Sequence, residues 1–147
     1  MATDQNQYLG NPNLKKANVP VEFTKEQIEE YQKCMGDPVY FIQEYMKIVS
    51  LDEGLVPFKM YDFQQNMVRT FHDNRFTICK LPRQSGKSTT IIAYLLHYVL
   101  FNQNVNVAIL ANKSSTARDI LGRLQLGYEN LPKWLQQGVI SWNKGSL

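Results

Sequence analysis

The sequence has few of the residues that build disulfide-stabilised or metal-dependent proteins. Of its 147 residues, two are cysteine and two are histidine. Cys34, Cys79, His72 and His97 do not have the spacing of metal ligands. We therefore expect reduced thiols, with Cys79 in a buried strand. No apolar run reaches the roughly 18 residues of a membrane span, and the polar N-terminus lacks the apolar segment of a secretory signal.

The charge of the chain is small but unevenly distributed. The net charge is +3. Residues 22–53 contain eight acidic and three basic residues, whereas residues 75–123 contain seven basic residues and one acidic residue, Asp119. The basic half could bind a polyanion such as ATP, DNA or both. A solvated helix face explains the same pattern, and charge alone leaves both explanations open.

One stretch, residues 75–89, predicts a phosphate-binding loop. It reads RFTICKLPRQSGKST: a run typical of a strand, a short loop, and the start of a long apolar helix. Backbone N–H groups at a helix N-terminus bind phosphate, and Gly86 lets the backbone approach closely. Lys87 would contact the β- and γ-phosphates, and the Ser88 hydroxyl would bind Mg²⁺.

The loop departs from the usual G-x-x-x-x-G-K-[ST] pattern at its first position. Leu81 stands where that pattern has its first glycine. The alternative is a lysine at an ordinary helix start. The order of strand, loop and helix favours the phosphate loop, because the motif has meaning only in that context.

The order of predicted elements indicates an α/β fold with a mainly parallel sheet. Nearly all residues of 105–111 are apolar, which is typical of a strand buried on both faces. We predict an extended arm over 1–21, a small helical region over 22–57, and the N-terminal part of an ATPase domain over 58–147. The predicted helices begin near Thr24, Asp37, Asp62, Lys87 and Ser114 or Ser115, the second running to Val49 and the fourth to about Phe101. A loop covers 52–57, strands cover 75–81, 105–111 and 139–142, and a helical turn covers 131–135. A turn at 143–145 precedes a returning strand at Ser146-Leu147.

The acidic half of an ATPase site has no candidate in this sequence. Phosphoryl transfer requires a carboxylate for Mg²⁺ and a group that orients the attacking water. No predicted strand after Ser88 ends in Asp or Glu, and Asp119 and Glu129 fall in a helical pattern. We therefore expect an incomplete ATPase domain that hydrolyses no ATP by itself, and whether this chain is an enzyme stays open.

Several motifs in order resemble the large terminase subunits of tailed phages, closest to the myovirus type. Residues 80–88 resemble their phosphate loop, which commonly lacks the first glycine. Residues 61–65 look like their adenine-contacting glutamine motif. Residues 37–41, 108–113 and 142–146 also match, so the resemblance runs from about Tyr8 to Leu147.

The resemblance implies the N-terminal part of a DNA-packaging ATPase, a P-loop NTPase of the additional-strand, conserved-Glu type. Gln64 would contact adenine and Arg83 would trigger hydrolysis, with Lys87 the other catalytic residue and Ser88 the Mg²⁺ ligand. The implied cofactors are ATP and Mg²⁺. The implied partners are the C-terminal part of the terminase with its nuclease domain, the small subunit, the portal protein and double-stranded DNA, in the host cell cytoplasm. The nucleotide-binding residues would be Gln64, Pro82, Arg83, Gln84, Ser85, Gly86, Lys87, Ser88 and Thr89.

The residues leave alternatives to this function. A helicase or translocase fragment would also combine an upstream glutamine with a phosphate loop, and a non-functional truncated fragment would have no activity. Arg83 could make a simple phosphate or surface contact, and Gln64 could be a residue of the helix-capping region.

Overall fold

The computed structural model describes residues 6–50 and 52–146. Within these residues the chain is an α/β structure of helices and two small antiparallel sheets. Leu147 and the first five residues of the predicted arm lie outside the described residues. The strands are β1 (Gln7–Tyr8), β2 (Asn11–Lys15), β3 (Lys47–Ser50) and β4 (Gly54–Pro57), and the helices are α1 (Lys25–Gly36), α2 (Pro38–Tyr45), α3 (Asp62–Asp73), α4 (Lys87–Phe101) and α5 (Ser114–Glu129).

The first two helices begin where their capping residues predict. The Thr24 hydroxyl accepts from the Gln27 N–H at 3.2 Å, and the Gln27 side chain accepts from the Thr24 N–H at 3.1 Å. This reciprocal pair is a capping box. Asp37 ends α1 and caps α2, because its carboxylate accepts from the N–H groups of Val39 and Tyr40. Both predicted helix starts are confirmed.

Helix α4 lies at the centre of the molecule and packs against α2, α3 and α5. Its bounds, Lys87 and Phe101, agree with the prediction. His97 and Phe101 of α4 contact the fully buried ring of Phe41 from α2. Since α4 also begins at the predicted phosphate loop, the core holds one end of that loop in place. The buried residues of α4 are Thr90, Ile92, Ala93, Leu96, His97 and Leu100.

The predicted parallel sheet is absent from the part of the chain that the structure describes. Residues 75–81 and 105–111 form no strands there. A strand requires a neighbour that pairs with its backbone, and neither segment has one among the described residues. Several of their apolar side chains are exposed, at 98% for Ile78 and 92% for Leu110, whereas Leu81, Val105 and Ile109 are half-buried. Cys79 is also exposed, so its predicted burial is wrong.

Two further predictions of secondary structure are wrong. Residues 47–50 pair with residues 54–57 as the hairpin β3–β4, with Lys47 opposite Pro57 and Ser50 opposite Gly54, instead of a helix end followed by a loop. Gly54 has a φ of +73°, which a glycine adopts without strain. Residues 139–142 form no strand; Val139 makes a single parallel bridge to Lys16. Residues 131–135 do form hydrogen-bonded turns, and residues 143–145 form a bend where a turn was predicted.

The N-terminal hairpin β1–β2 packs against the end of the described chain. Leu14 is buried in the main core. The buried Gln136 side chain donates to the carbonyl of Asn13 at 3.0 Å and accepts from the Lys15 N–H at 3.2 Å. The N-terminal segment is thus tied to residues 136–139.

Candidate functional site

The phosphate loop predicted from the sequence is a tight turn at the start of α4. Gly86 is the N-cap residue of that helix and has a left-handed φ of +73°. Gln84 also has a positive φ, 61°, which is uncommon for a residue other than glycine. The turn therefore depends on two left-handed residues in a run of three.

Two polar side chains of the loop converge on one carbonyl group. The Lys87 ammonium donates to the Pro82 carbonyl at 3.1 Å, and the Ser85 hydroxyl donates to the same oxygen at 3.0 Å. The Lys87 side chain therefore folds back over the loop. In this position the Lys87 ammonium faces any group that binds against the turn.

The fully buried Thr90 anchors the loop to α4, a role that the sequence analysis did not assign. The Thr90 hydroxyl donates to the Gly86 carbonyl at 3.1 Å, and the Thr90 N–H donates to it at 3.0 Å. The sequence did contain a signal for this role. Thr90 follows Gly86 by one helical turn, and a threonine hydroxyl at that spacing can donate to the carbonyl of the preceding turn.

Gln64 comes from a different helix and meets the loop. Its side-chain oxygen accepts from the Tyr61 N–H at 2.9 Å, and its side-chain nitrogen lies 3.4 Å from the Ser85 carbonyl. The first contact is that of a residue in the capping region of α3, which was one of the two interpretations the sequence left open. The second brings Gln64 to the phosphate loop across 21 positions of sequence.

A groove of about 550 Å³ runs between the loop, the start of α3 and the hairpin β3–β4. Tyr61 and Phe63 lie along it as a parallel pair, with ring centroids 6.0 Å apart and planes 9° apart. Both rings are partly exposed. None of the described residues that line the groove is acidic. Ile48 and Phe58 on the hairpin side were missed, because residues 47–57 were not predicted to pair.

The remaining predicted site residues lie around the loop without partners inside the described chain. Arg83 and Ser88 are exposed, and no described group hydrogen-bonds either side chain. Thr89 and Gln84 line the groove. The described residues contain no cluster of three or more His, Cys, Asp or Glu side chains that could hold a metal ion. Mg²⁺ usually keeps several waters and uses few protein ligands beside phosphate oxygens, so a single exposed Ser88 hydroxyl fits such a site.

The positive charge of this half of the chain is exposed. Lys80, Arg83, Lys113, Arg118 and Arg123 all face solvent. In the part of the chain that the structure describes, the one ion pair joins Lys33 and Glu30 of α1, at 3.4 Å. The cations around the loop are therefore free to attract an anion. None of the described helices is long and apolar enough to cross a membrane.

A comparison with protein families finds one match that contains the loop. The family model described as the large terminase subunit, T4-like-virus type, N-terminal part, matches residues 78–147. The match includes residues 82–89 with both ends of the loop. Gln64 and the helices α1–α3 lie outside it. This match covers slightly less than half of the chain, and over these residues the chain is similar to the N-terminal part of the large terminase subunits of the T4-like-virus type.

Proposed function

We propose that residues 82–89 bind the triphosphate of ATP, as the N-terminal segment of a motor that couples ATP hydrolysis to movement of double-stranded DNA into a viral prohead. The observation that carries this proposal is the geometry of the loop. A left-handed glycine begins a long helix, and the following lysine folds back over the turn. In the proposed complex, phosphate oxygens replace the Pro82 carbonyl as the acceptor for Lys87.

The other loop residues take roles that follow from their positions. Ser88, exposed in the first turn of α4, would bind the Mg²⁺ that accompanies ATP. Pro82, Gln84, Ser85, Gly86 and Thr89 would surround the phosphates. Arg83 is exposed and unpartnered among the described residues, so its guanidinium is available for the γ-phosphate as charge develops there; groups of this kind contribute roughly 10³–10⁵ in rate.

The adenine base of ATP would lie on the side of the groove that Tyr61 and Phe63 line. Tyr61 and Phe63 offer exposed ring faces beside the loop. The Gln64 amide uses one of its two N–H groups and one of its two lone pairs inside the chain. The remaining donor and acceptor match an adenine edge, as Gln does elsewhere. If GTP binds the wild type as well as ATP does, this assignment of adenine is wrong.

We propose the partners that a large terminase subunit would have: the small subunit, the portal protein and double-stranded DNA. The proposed location is the host cell cytoplasm. Because no acidic residue lines the groove, we propose that this segment binds ATP without turning it over until the carboxylates for Mg²⁺ and water are supplied by further polypeptide.

The experiment that tests nucleotide binding is a thermal unfolding measurement with Mg-ATP. At 100-fold excess over Kd, binding stabilises a folded protein by about 2.7 kcal/mol. The Lys87→Ala variant should lose this stabilisation, because it lacks a charge-assisted contact worth roughly 1.5–3 kcal/mol. Lys113→Ala, with the same loss of charge at an exposed position outside the loop, is the matched control. Equal shifts in wild type and Lys87→Ala would contradict the proposal.

A further inference from the structure

Gln64 is a buried polar residue whose amide orientation is determined by its surroundings. Only 3% of its surface is exposed. The Tyr61 N–H can only donate, so the atom that faces it at 2.9 Å must be the side-chain oxygen. The Gln64 nitrogen must then face the loop, where the Ser85 carbonyl lies 3.4 Å away.

A second observation places Gln64 against the same part of the loop. A Cβ atom added to Gly86 would lie 2.6 Å from the Gln64 nitrogen. Gly86 is thus required for its left-handed φ and also for the space that Gln64 occupies. The loop backbone and the Gln64 amide are packed together at van der Waals contact.

We propose that Gln64 is a positioning residue of the phosphate loop, acting through the Ser85–Gly86 peptide; this inference rests on the proposed function of the loop. A trans peptide directs its carbonyl and its N–H to opposite sides. By holding the Ser85 carbonyl, Gln64 turns the Gly86 N–H away from itself. That N–H has no hydrogen-bond partner among the described residues and is available to a phosphate oxygen.

This role differs from a contact with adenine in one measurable respect. A residue that contacts only the base affects the preference for ATP over GTP and has no effect on a ligand without a base. A residue that positions the loop affects every triphosphate. Inorganic tripolyphosphate has the phosphates without the base, so its affinity separates the two roles.

The test measures the Kd of Mg-ATP, Mg-GTP and inorganic tripolyphosphate for the full chain. We expect Gln64→Ala to weaken all three, tripolyphosphate by roughly five- to tenfold, the effect of losing one hydrogen bond. Gln64→Met keeps the buried volume without the donor, and should show the same loss if the alanine variant folds poorly. Gln65→Ala is the control, because Gln65 lies beside Gln64 on α3 but its side chain donates to the Met60 carbonyl, before the helix, and not to the loop.

Two outcomes overturn the proposals separately. If wild type binds all three ligands and Gln64→Met leaves tripolyphosphate unchanged, Gln64 does not position the loop and the proposed function stands. If wild type binds none of them, the proposed function fails and this inference with it. A larger loss for ATP than for tripolyphosphate supports both the positioning role and an adenine contact.

A pair of substitutions tests the contact itself without any ligand. Gly86→Ala places a Cβ against the Gln64 amide, so it should lower the urea midpoint of unfolding. In the Gln64→Ala background the added methyl group has space, and the loss of midpoint should be smaller. An equal loss in both backgrounds would show that Gln64 does not press against Gly86, and would overturn the inference.

Discussion

Helix α4 and the segment 105–111 are both rich in apolar residues, yet they differ in how far these residues are buried. Six residues of α4 are buried in the core, whereas Leu110 of the segment is 92% exposed. A helix satisfies its own backbone hydrogen bonds, but a strand needs a neighbour to do so. The comparison teaches that the helices of this chain are complete units and that residues 75–81 and 105–111 need pairing partners.

The largest expected difference in the free energy of unfolding is between a substitution of a buried ring and a substitution of an exposed apolar side chain. Phe41 is fully buried against His97 and Phe101, so Phe41→Ala should lower the free energy of unfolding by about 3–5 kcal/mol. Ile78→Ser, at a 98% exposed position, should change it by less than about 0.5 kcal/mol. Urea unfolding measures both. Comparable losses would mean that residues 75–81 are covered in solution.

A pH titration tests the burial of α4 through His97. Burial lowers the pKa of His97 from 6.5 to about 4, with a smaller lowering from His72 and opposing contributions from the Cys34 carbonyl and from Asp37. The unfolded chain therefore binds the proton first as the pH falls. Stability is fully present above pH 6.5 and is lost towards pH 4, by up to about 3 kcal/mol from this residue.

Unfolding free energies measured between pH 7 and pH 4 check the titration. In His97→Phe this part of the pH dependence should disappear, whereas His72→Gln, at an exposed position, should retain most of it. An unchanged pH dependence in His97→Phe would contradict the burial of a neutral imidazole.

A smaller effect is expected where the N-terminal hairpin joins the core. The Gln136 side chain donates to the carbonyls of Tyr128, Leu131 and Asn13. Gln136→Met leaves these acceptors unpaired and should cost roughly 1–3 kcal/mol. Gln137→Met is the control, since the exposed Gln137 makes a single such bond, to Leu100. Similar losses for both variants would show that Gln136 has no special role in holding the hairpin.

The last prediction compares how fast a thiol reagent modifies the two cysteines, and it perturbs the protein least. Cys79 lies in the exposed segment 75–81, and Cys34 is buried with its pKa raised to about 12, chiefly by burial. A thiol reagent should modify one cysteine rapidly in the folded chain and the second only in denaturant, as mass spectrometry would detect. Slow modification of Cys79 would indicate that a partner or another copy covers this segment.

The helices could be predicted because their signals are local. Thr24, Asp37 and the Gly86-Lys87 pair each determine a helix start within a few residues of sequence. The hairpin β3–β4 could not be predicted, since it depends on pairing between residues 47–50 and residues 54–57. The residues up to Val49 also fit a helical pattern, which competes with that pairing in the sequence. The parallel sheet was predicted from the alternation of strand and helix patterns and from apolar runs. Both indicate which residues need covering without supplying the neighbouring strand.

In the candidate site, too, the local features could be predicted from the sequence and the contacts between separate elements could not. The helix start at residues 86–88 could be located from the sequence, because glycine, lysine and a hydroxyl are adjacent there, whereas phosphate binding by residues 82–89 remains a proposal. The contacts of this loop with Gln64 and with the hairpin side of the groove could not be located, because they join separate elements. The roles of all the predicted site residues, including Gln64, Arg83, Lys87 and Ser88, remain predictions.

The central claim is our proposal that residues 82–89 bind the triphosphate of ATP while the described residues that line the groove supply no carboxylate for catalysis. The most direct test incubates the purified chain with labelled ATP and Mg²⁺, and measures bound nucleotide and released phosphate in the same sample. The account predicts bound ATP that stays intact, loss of binding in Lys87→Ala, and phosphate release once the polypeptide that follows this region in a related terminase is added. Steady phosphate release by the chain alone, abolished by Lys87→Ala, would contradict it.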